Sequence, residues 1–177
     1  EKMRFSNVHI YNLEVYKGIM EKQEILEWDP PYAKEPEVKV PSPVAYTLTE
    51  PFLGDGKGEY KDTGIQLYDT ADKNWSLKMK FRKMDTAGIL LSCFAEDPKQ
   101  YRGLIISQLD KNTLGITLGQ TSSEVELPPS PECEILVEKQ GFVYQVSLNG
   151  EKVLENVESA ASEYDGNLYL GCSLNEK

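Results

Sequence analysis

Histidine is almost missing from this chain: His9 is the only one among 177 residues. Ser-His and Cys-His nucleophile arrangements are therefore excluded unless that single residue serves in them. Cysteine is scarce too. Cys93, Cys133 and Cys172 lie far apart, and no C-x-x-C pair suggests zinc or a redox motif. Three thiols cannot pair completely within one chain. Cys93, inside Ile89-Leu90-Leu91-Ser92-Cys93-Phe94, reads as a buried thiol acting as a small hydrophobe. Long apolar runs are absent as well: the longest, Gly88 to Phe94, is far too short to span a bilayer. Positive charge is in deficit, with 19 basic residues against 29 acidic ones and a formal charge of −10. A grip on nucleic acid needs a concentrated basic surface that releases counterions from phosphates, so no nucleic-acid partner is expected. Anionic membrane surfaces are disfavoured for the same reason, and no membrane insertion is expected. No signal segment opens the chain. A sequence starting at Glu1 is expected to be a piece of a larger or processed protein, which leaves secretion open.

What is present is an ordinary globular balance, 40% apolar and 27% charged residues, in a length that suits one domain with a sizeable core, or one domain plus an arm. Six of the ten prolines fall between Pro30 and Pro51. Each fixes its own φ and pushes the preceding residue toward extended geometry. Residues 18–43 therefore read as an extended, charged connector, and the apolar positions from Gly18 to Trp28 keep no clean helical period. Before it, residues 1–17 hold a strand-like stretch from Arg4 to Lys17. After it, residues 44–177 form the main body.

The body is dense in strand signals. Trp75, Leu77, Met79 and Phe81 alternate with Ser76, Lys78, Lys80 and Arg82, the period of a half-buried strand. Short apolar runs follow at Leu104-Ile105-Ile106, Leu114-Ile116-Leu118 and Val125-Leu127. Ile135-Val137 and Phe142-Tyr144-Val146-Leu148 read as a hairpin around Lys139-Gln140-Gly141. Asn149-Gly150 supplies the positive φ values of a tight turn into Lys152-Val153-Leu154, and Leu168 to Cys172 is the last strand. No amphipathic helix of ten residues is visible. The pattern predicts an all-β, two-sheet antiparallel sandwich.

Four segments resemble the laminin-G-like branch of the concanavalin A-like lectin/glucanase superfamily. Gly54-Asp55-Gly56 through Lys61-Asp62-Thr63-Gly64-Ile65-Gln66-Leu67 is similar to the family's opening turn and D-T-G-I-x-L phrase. Asn74 to Phe81 resembles the following core strand, and Tyr144 to Val153 the Y-x-V-x-x-N-G-x-x-V hairpin. Ile10-Tyr11-Asn12-Leu13-Glu14-Val15-Tyr16 resembles the strand that normally closes the domain at its C-terminus, displaced here to the N-terminus. The resemblance implies a jelly-roll sandwich that binds sugars, binds proteins or hydrolyses glycans. It also implies that residues 4–17 pair into the body's sheet with Ile10, Leu13 and Val15 facing the core. Two positions separate Ile10 from Leu13, so a β-bulge is expected near Tyr11-Asn12. The long connector permits closure within one chain and equally donation to the next, a route to assembly by strand complementation.

Candidate chemistry is thin. The enzyme branch of the superfamily carries E-x-D-x-E on one strand, and no such triplet exists here. Glu124-Val125-Glu126 and Glu132-Cys133-Glu134 imitate it around the Pro128-Pro129-Ser130-Pro131 turn. Gly54-Asp55-Gly56-Lys57-Gly58 lacks the K-[ST] and helix of a phosphate loop and reads as a glycine-rich turn. The stripe Lys78, Lys80, Arg82 and Lys83 matches the outer face of a strand, with no aromatic residue to stack bases. No cofactor is expected. Calcium is the one metal left open, with Asp69 and Asp72 as weak candidates in a loop where aspartate more often bonds its own backbone. For a ligand, Asp97, Tyr101 and Arg102 lie in a polar stretch between two strands. Ten tyrosines suit a recognition surface, and Trp28 in the connector is the candidate anchor for a docking partner.

The expected function is a non-catalytic binding or structural module of an extracellular, cell-surface or virion-surface protein. Its expected partners are a glycan or protein on a surface and neighbouring copies or repeats of itself. Two alternatives stand beside it: a glycan-active hydrolase with an unrecognised acidic pair, and a purely architectural phage or cell-surface repeat with no ligand.

Overall fold

The structure is a computed structural model, and it describes residues 2–5, 7–17, 44–55, 59–67, 74–93, 103–119, 121–158 and 167–175. These residues form strands and, among them, no helix. With strands numbered in chain order, one sheet runs β10 (Thr121–Glu126), β9 (Thr113–Gly119), β8 (Gly103–Gln108), β7 (Gly88–Cys93), β14 (Asn167–Leu170), β5 (Lys61–Gln66). The other runs β13 (Glu151–Glu158), β12 (Val143–Leu148), β11 (Glu132–Gln140), β6 (Trp75–Arg82), β2 (His9–Lys17), β3 (Val44–Thr47). The short β4 (Phe52–Leu53) also pairs with β2. A separate pair joins β1 (Lys2–Phe5) to β15 (Cys172–Asn175), and every pairing is antiparallel. Apolar side chains from both sheets merge into one core, as a two-sheet sandwich requires.

Alternation explains which face each strand buries. On β6, Trp75, Leu77, Met79 and Phe81 are buried, while Lys80 and Arg82 are exposed. Their cross-strand neighbours on β11 are Lys139, Val137, Ile135 and Cys133, also buried. On the other side they meet β2, where Val15 pairs with Leu77, Leu13 with Met79 and Ile10 with Phe81. The register shifts between Ile10 and Asn12, so that both Ile10 and Leu13 reach the core despite the two residues between them.

The N-terminal stretch departs from the single strand its sequence suggests. It is two strands, separated around Asn7-Val8, and they serve different partners: β1 pairs with β15 and β2 with β6. Lys139 also differs from expectation. It lies in β11 rather than in the hairpin turn, is only 2% exposed, and holds its ammonium 5.9 Å from the Tyr144 ring centroid. The turn itself is Gly141-Phe142, with Gly141 at φ 59° and its N–H donating to Asn74 Oδ1 at 3.0 Å. The Asn149-Gly150 turn has the expected positive φ values, 50° and 83°.

Gly171 joins β14 to β15 at φ 76°. A Cβ placed there would stand 2.8 Å from Phe52 Cε1 and 3.4 Å from Val8 Cγ2. The bare backbone thus lets an aromatic ring from the seven-stranded sheet's β4 pack directly on the turn leaving the six-stranded one. Gly171→Ala adds both a clash with a ring and a left-handed residue with a Cβ. It is expected to cost at least about 1–2 kcal/mol, read as a lowered urea midpoint at unchanged slope.

All three thiols are buried and unpaired with one another. Burial pushes the Cys172 thiol from its ordinary value of 9.0 up to about 11, and the Asp62 carboxylate adds to the shift. Below pH 9 both folded and unfolded chains keep this proton. Between there and about 11 only the unfolded chain releases it, so stability falls as pH rises across that window. Chemical denaturation at pH 8 and pH 10.5 is expected to record this loss, and Cys172→Ala to diminish it. A pH-independent midpoint would contradict the assignment.

Candidate functional site

Of the residues singled out in the sequence, Ile10, Leu13 and Val15 lie on β2 and are buried against β6. Asp97, Tyr101, Arg102, Trp28, Asp69 and Asp72 lie outside the described residues. Among the described residues no three His, Cys, Asp or Glu side chains converge as a metal site would need. The two imitations of an acidic triplet are placed apart in role. Glu134 bridges Lys78 at 3.1 Å and Lys80 at 3.4 Å across β6 and β11. That pairing also accounts for two members of the basic stripe. Glu124 and Glu126 are exposed on β10, the edge of the six-stranded sheet.

The most developed surface constellation lies at the opposite edge, on β5 and β14. Successive strand residues alternate faces, so Tyr60, Asp62, Gly64 and Gln66 share the exposed side while Lys61, Thr63 and Ile65 turn inward. Tyr169 pairs with Asp62 and Asn167 with Gln66, which brings β14's outward residues alongside. Between these pairs β5 has three residues where β14 has one. The excess is absorbed at Thr63-Gly64. Gly64 takes φ 68° and donates its N–H to Asp62 Oδ1 at 2.8 Å. Thr63 Oγ1 donates to the Leu168 carbonyl at 2.9 Å, fixing the bulge to the neighbouring strand. The D-T-G phrase is therefore a bulge with its own cap.

The bulge organises what stands around it. Asn167 Nδ2 donates to both Asp62 oxygens at 3.0 Å, which fixes the amide and aims its carbonyl away from the carboxylate. Tyr60, 42% exposed, packs on Tyr169 with ring centroids 6.1 Å apart and planes tilted by 53°. Nothing lies within 4 Å of where a Gly64 Cβ would stand, so the surface between the carboxylate and Gln66 is open. Burial first, then the neighbouring Asp62 carboxylate and Tyr60, push the Tyr169 phenol above its ordinary value. The Tyr169 hydroxyl is thus a neutral donor at physiological pH.

The result is two phenol rings, an oriented amide and a carboxylate around an open backbone patch. Chemically it can stack an aliphatic ring face and hydrogen-bond hydroxyls. It contains no nucleophile paired with a base. Sequence reasoning missed it because Tyr60 and Tyr169 are 109 positions apart. The available signal was the two-residue spacing of Tyr60 from Asp62, which puts both on one face of a strand.

No protein-family model matches the chain, and no curated protein does. Among solved structures, it is similar to the mouse laminin alpha1 chain, domains LG4-5, at 12% identity and a TM-score of 0.44, over 63% of this chain. The chain spans about a third (31%) of that structure's length. It is also similar to the Ruminococcus gnavus IT-sialidase CBM40 bound to alpha2,3 sialyllactose, at 16% identity and a TM-score of 0.40, over 63% of this chain and 78% of the other. Likeness of this degree assigns no ligand.

Proposed function

We propose that this domain is a non-catalytic binding module that recognises glycan on an extracellular, cell or virion surface through the β5–β14 patch. The observation that carries this reading is the Tyr60–Tyr169 ring pair beside the Asp62–Asn167 pair. A sugar ring presents an apolar C–H face and a rim of hydroxyls, and this patch offers a match to both. The protein's formal charge of −10 favours neutral sugars over polyanionic ones. A glycan array is expected to give hits, and Tyr60→Ala to weaken them at least about tenfold, the cost of losing a central aromatic contact. Tyr60 is exposed, so the variant keeps its fold. An array without hits would favour the purely architectural reading, and unchanged affinity in the variant would place the site elsewhere.

A second reading concerns assembly, and the lie of β2 favours it. This strand occupies the slot between β6 and β3 and is covalently linked to β3 through residues 18–43. A link of 26 residues is long enough for the arm to fill either its own slot or that of a neighbouring copy. A chain lacking residues 1–17 is expected to be unstable alone and to recover its cooperative thermal transition when a synthetic 1–17 peptide is added. A truncated chain that is monomeric and as stable as the parent would end this reading.

A further inference from the structure

At the sandwich edge opposite the tyrosine patch, β10 and β13 come together around an open groove of about 490 Å³. That volume lies within the range of ordinary ligand sites. The floor is apolar: Leu127 and Leu148 are each only 4% exposed, and Val153 is half-buried beside them. The lips carry two carboxylates, Glu126 from the end of β10 and Glu151 from the start of β13, both exposed. Among the described residues no lysine or arginine is part of the lining, and the Lys83 ammonium outside it is bound to the Pro128 carbonyl. Among the described residues neither carboxylate has an ion-pair partner, in contrast to Glu134, which is held by two lysines.

The walls are fixed before any ligand arrives. The loop Pro128–Pro131 is tied to Lys83 twice. The Lys83 ammonium donates to the Pro128 carbonyl, and the Lys83 N–H donates to the Pro131 carbonyl at 2.8 Å. Prolines at 128 and 129 add fixed φ values. On the other side, Asn149 and Glu134 exchange two bonds of 2.7 Å, Asn149 N–H to the Glu134 carbonyl and Glu134 N–H to Asn149 Oδ1. Leu127 is held by its N–H to the Asn112 carbonyl at 2.6 Å. A preformed site avoids the ordering cost that weakens binding to mobile surfaces.

We infer that this groove binds an extended peptide segment of a partner protein bearing a lysine or arginine. The aliphatic stem of such a residue lies along Leu127, Leu148 and Val153, and its cationic head stands between Glu126 and Glu151. The choice of a peptide follows from the groove's borders. Among the described residues β10 and β13 end their sheets, so each offers main-chain donors and acceptors to an extended segment. The choice of a cation follows from two unpaired carboxylates on a protein of charge −10, which also draws basic partners in from a distance. Unlike the tyrosine patch, the groove has among the described residues no aromatic surface on which a sugar ring could stack. The inference is independent of the glycan reading.

The test uses the whole chain and a capped heptapeptide alternating valine and arginine, with a norleucine-for-arginine peptide as control. Titration followed by amide chemical shifts is expected to move Leu127, Leu148 and Glu151. The double variant Glu126→Gln, Glu151→Gln is expected to bind at least about tenfold more weakly, as loss of charge-assisted bonds requires. The norleucine peptide is expected to lose a similar factor. Tyr60→Ala is expected to leave binding unchanged, which separates this site from the glycan patch. No shift at about 1 mM arginine peptide overturns the inference, since affinity weaker than that is negligible. Equal binding of the norleucine peptide, or by the double variant, overturns it as well. Both glutamates are exposed, and unchanged shifts elsewhere in the variant's spectrum establish that it is folded.

Discussion

The backbone ladder between β2 and β6 holds the seven-stranded sheet together. With β2 removed, β6 becomes an edge whose N–H and C=O groups face open space beside Leu77, Met79 and Phe81. Much else hangs from the same strand. β3 and β4 pair with β2, and the Leu48 and Gly54 N–H groups donate to the Leu13 and Val8 carbonyls flanking those pairings. β4 then supplies Phe52, whose ring rests on Gly171 between β14 and β15. β15 in turn pairs with β1, the strand that precedes β2. The N-terminal arm thus ties both the seven-stranded sheet and the last strand of the chain.

Electrostatics divides the surface in a way the net charge alone does not reveal. The cations of β6 are partly spent on Glu134, in half-exposed pairs worth at most about 1 kcal/mol each. Their value lies in orientation: they hold Glu134 of β11 against two lysines of β6. What remains at the β10–β13 edge is acidic and apolar, and what remains at the β5–β14 edge is aromatic and hydrogen-bonding. The two edges belong to opposite ends of the six-stranded sheet. The two candidate sites therefore do not share one surface.

The sandwich was legible in the sequence because its strands obey period-two burial and its turns carry Asn-Gly and Gly signals. The bulge in β2 was legible for a related reason: Ile10 and Leu13 are both apolar, so a regular strand cannot bury them together. Lys139 was not legible. A lysine beside Gln140-Gly141 suggests a solvated turn, but pairing with Tyr144 and Trp75 draws its stem inside and its ammonium over a ring. The split of the arm into β1 and β2 was hidden because it depends on where the distant β15 lies. Both candidate sites share that character. The groove needs β10 and β13 from different sheets, and the patch needs residues from both ends of the body.

The D-T-G phrase shows why fold and recognition are hard to separate on this scaffold. Asp62 caps the Gly64 turn and at the same time holds Asn167 by both carboxylate oxygens. Without the cap, the extra residues in β5 lose their fixed geometry, and Tyr60 two positions earlier loses its place beside Tyr169. The carboxylate already accepts from the Gly64 N–H and the Asn167 amide, so its first role is to position its neighbours. Beside it stand the two tyrosine rings and the Asn167 amide. A side chain can thus be indispensable to such a site while contributing little direct contact. Loss of binding on its removal measures loss of the bulge as much as loss of a bond, whereas the exposed ring of Tyr60 stands outside the bulge and reports on contact alone.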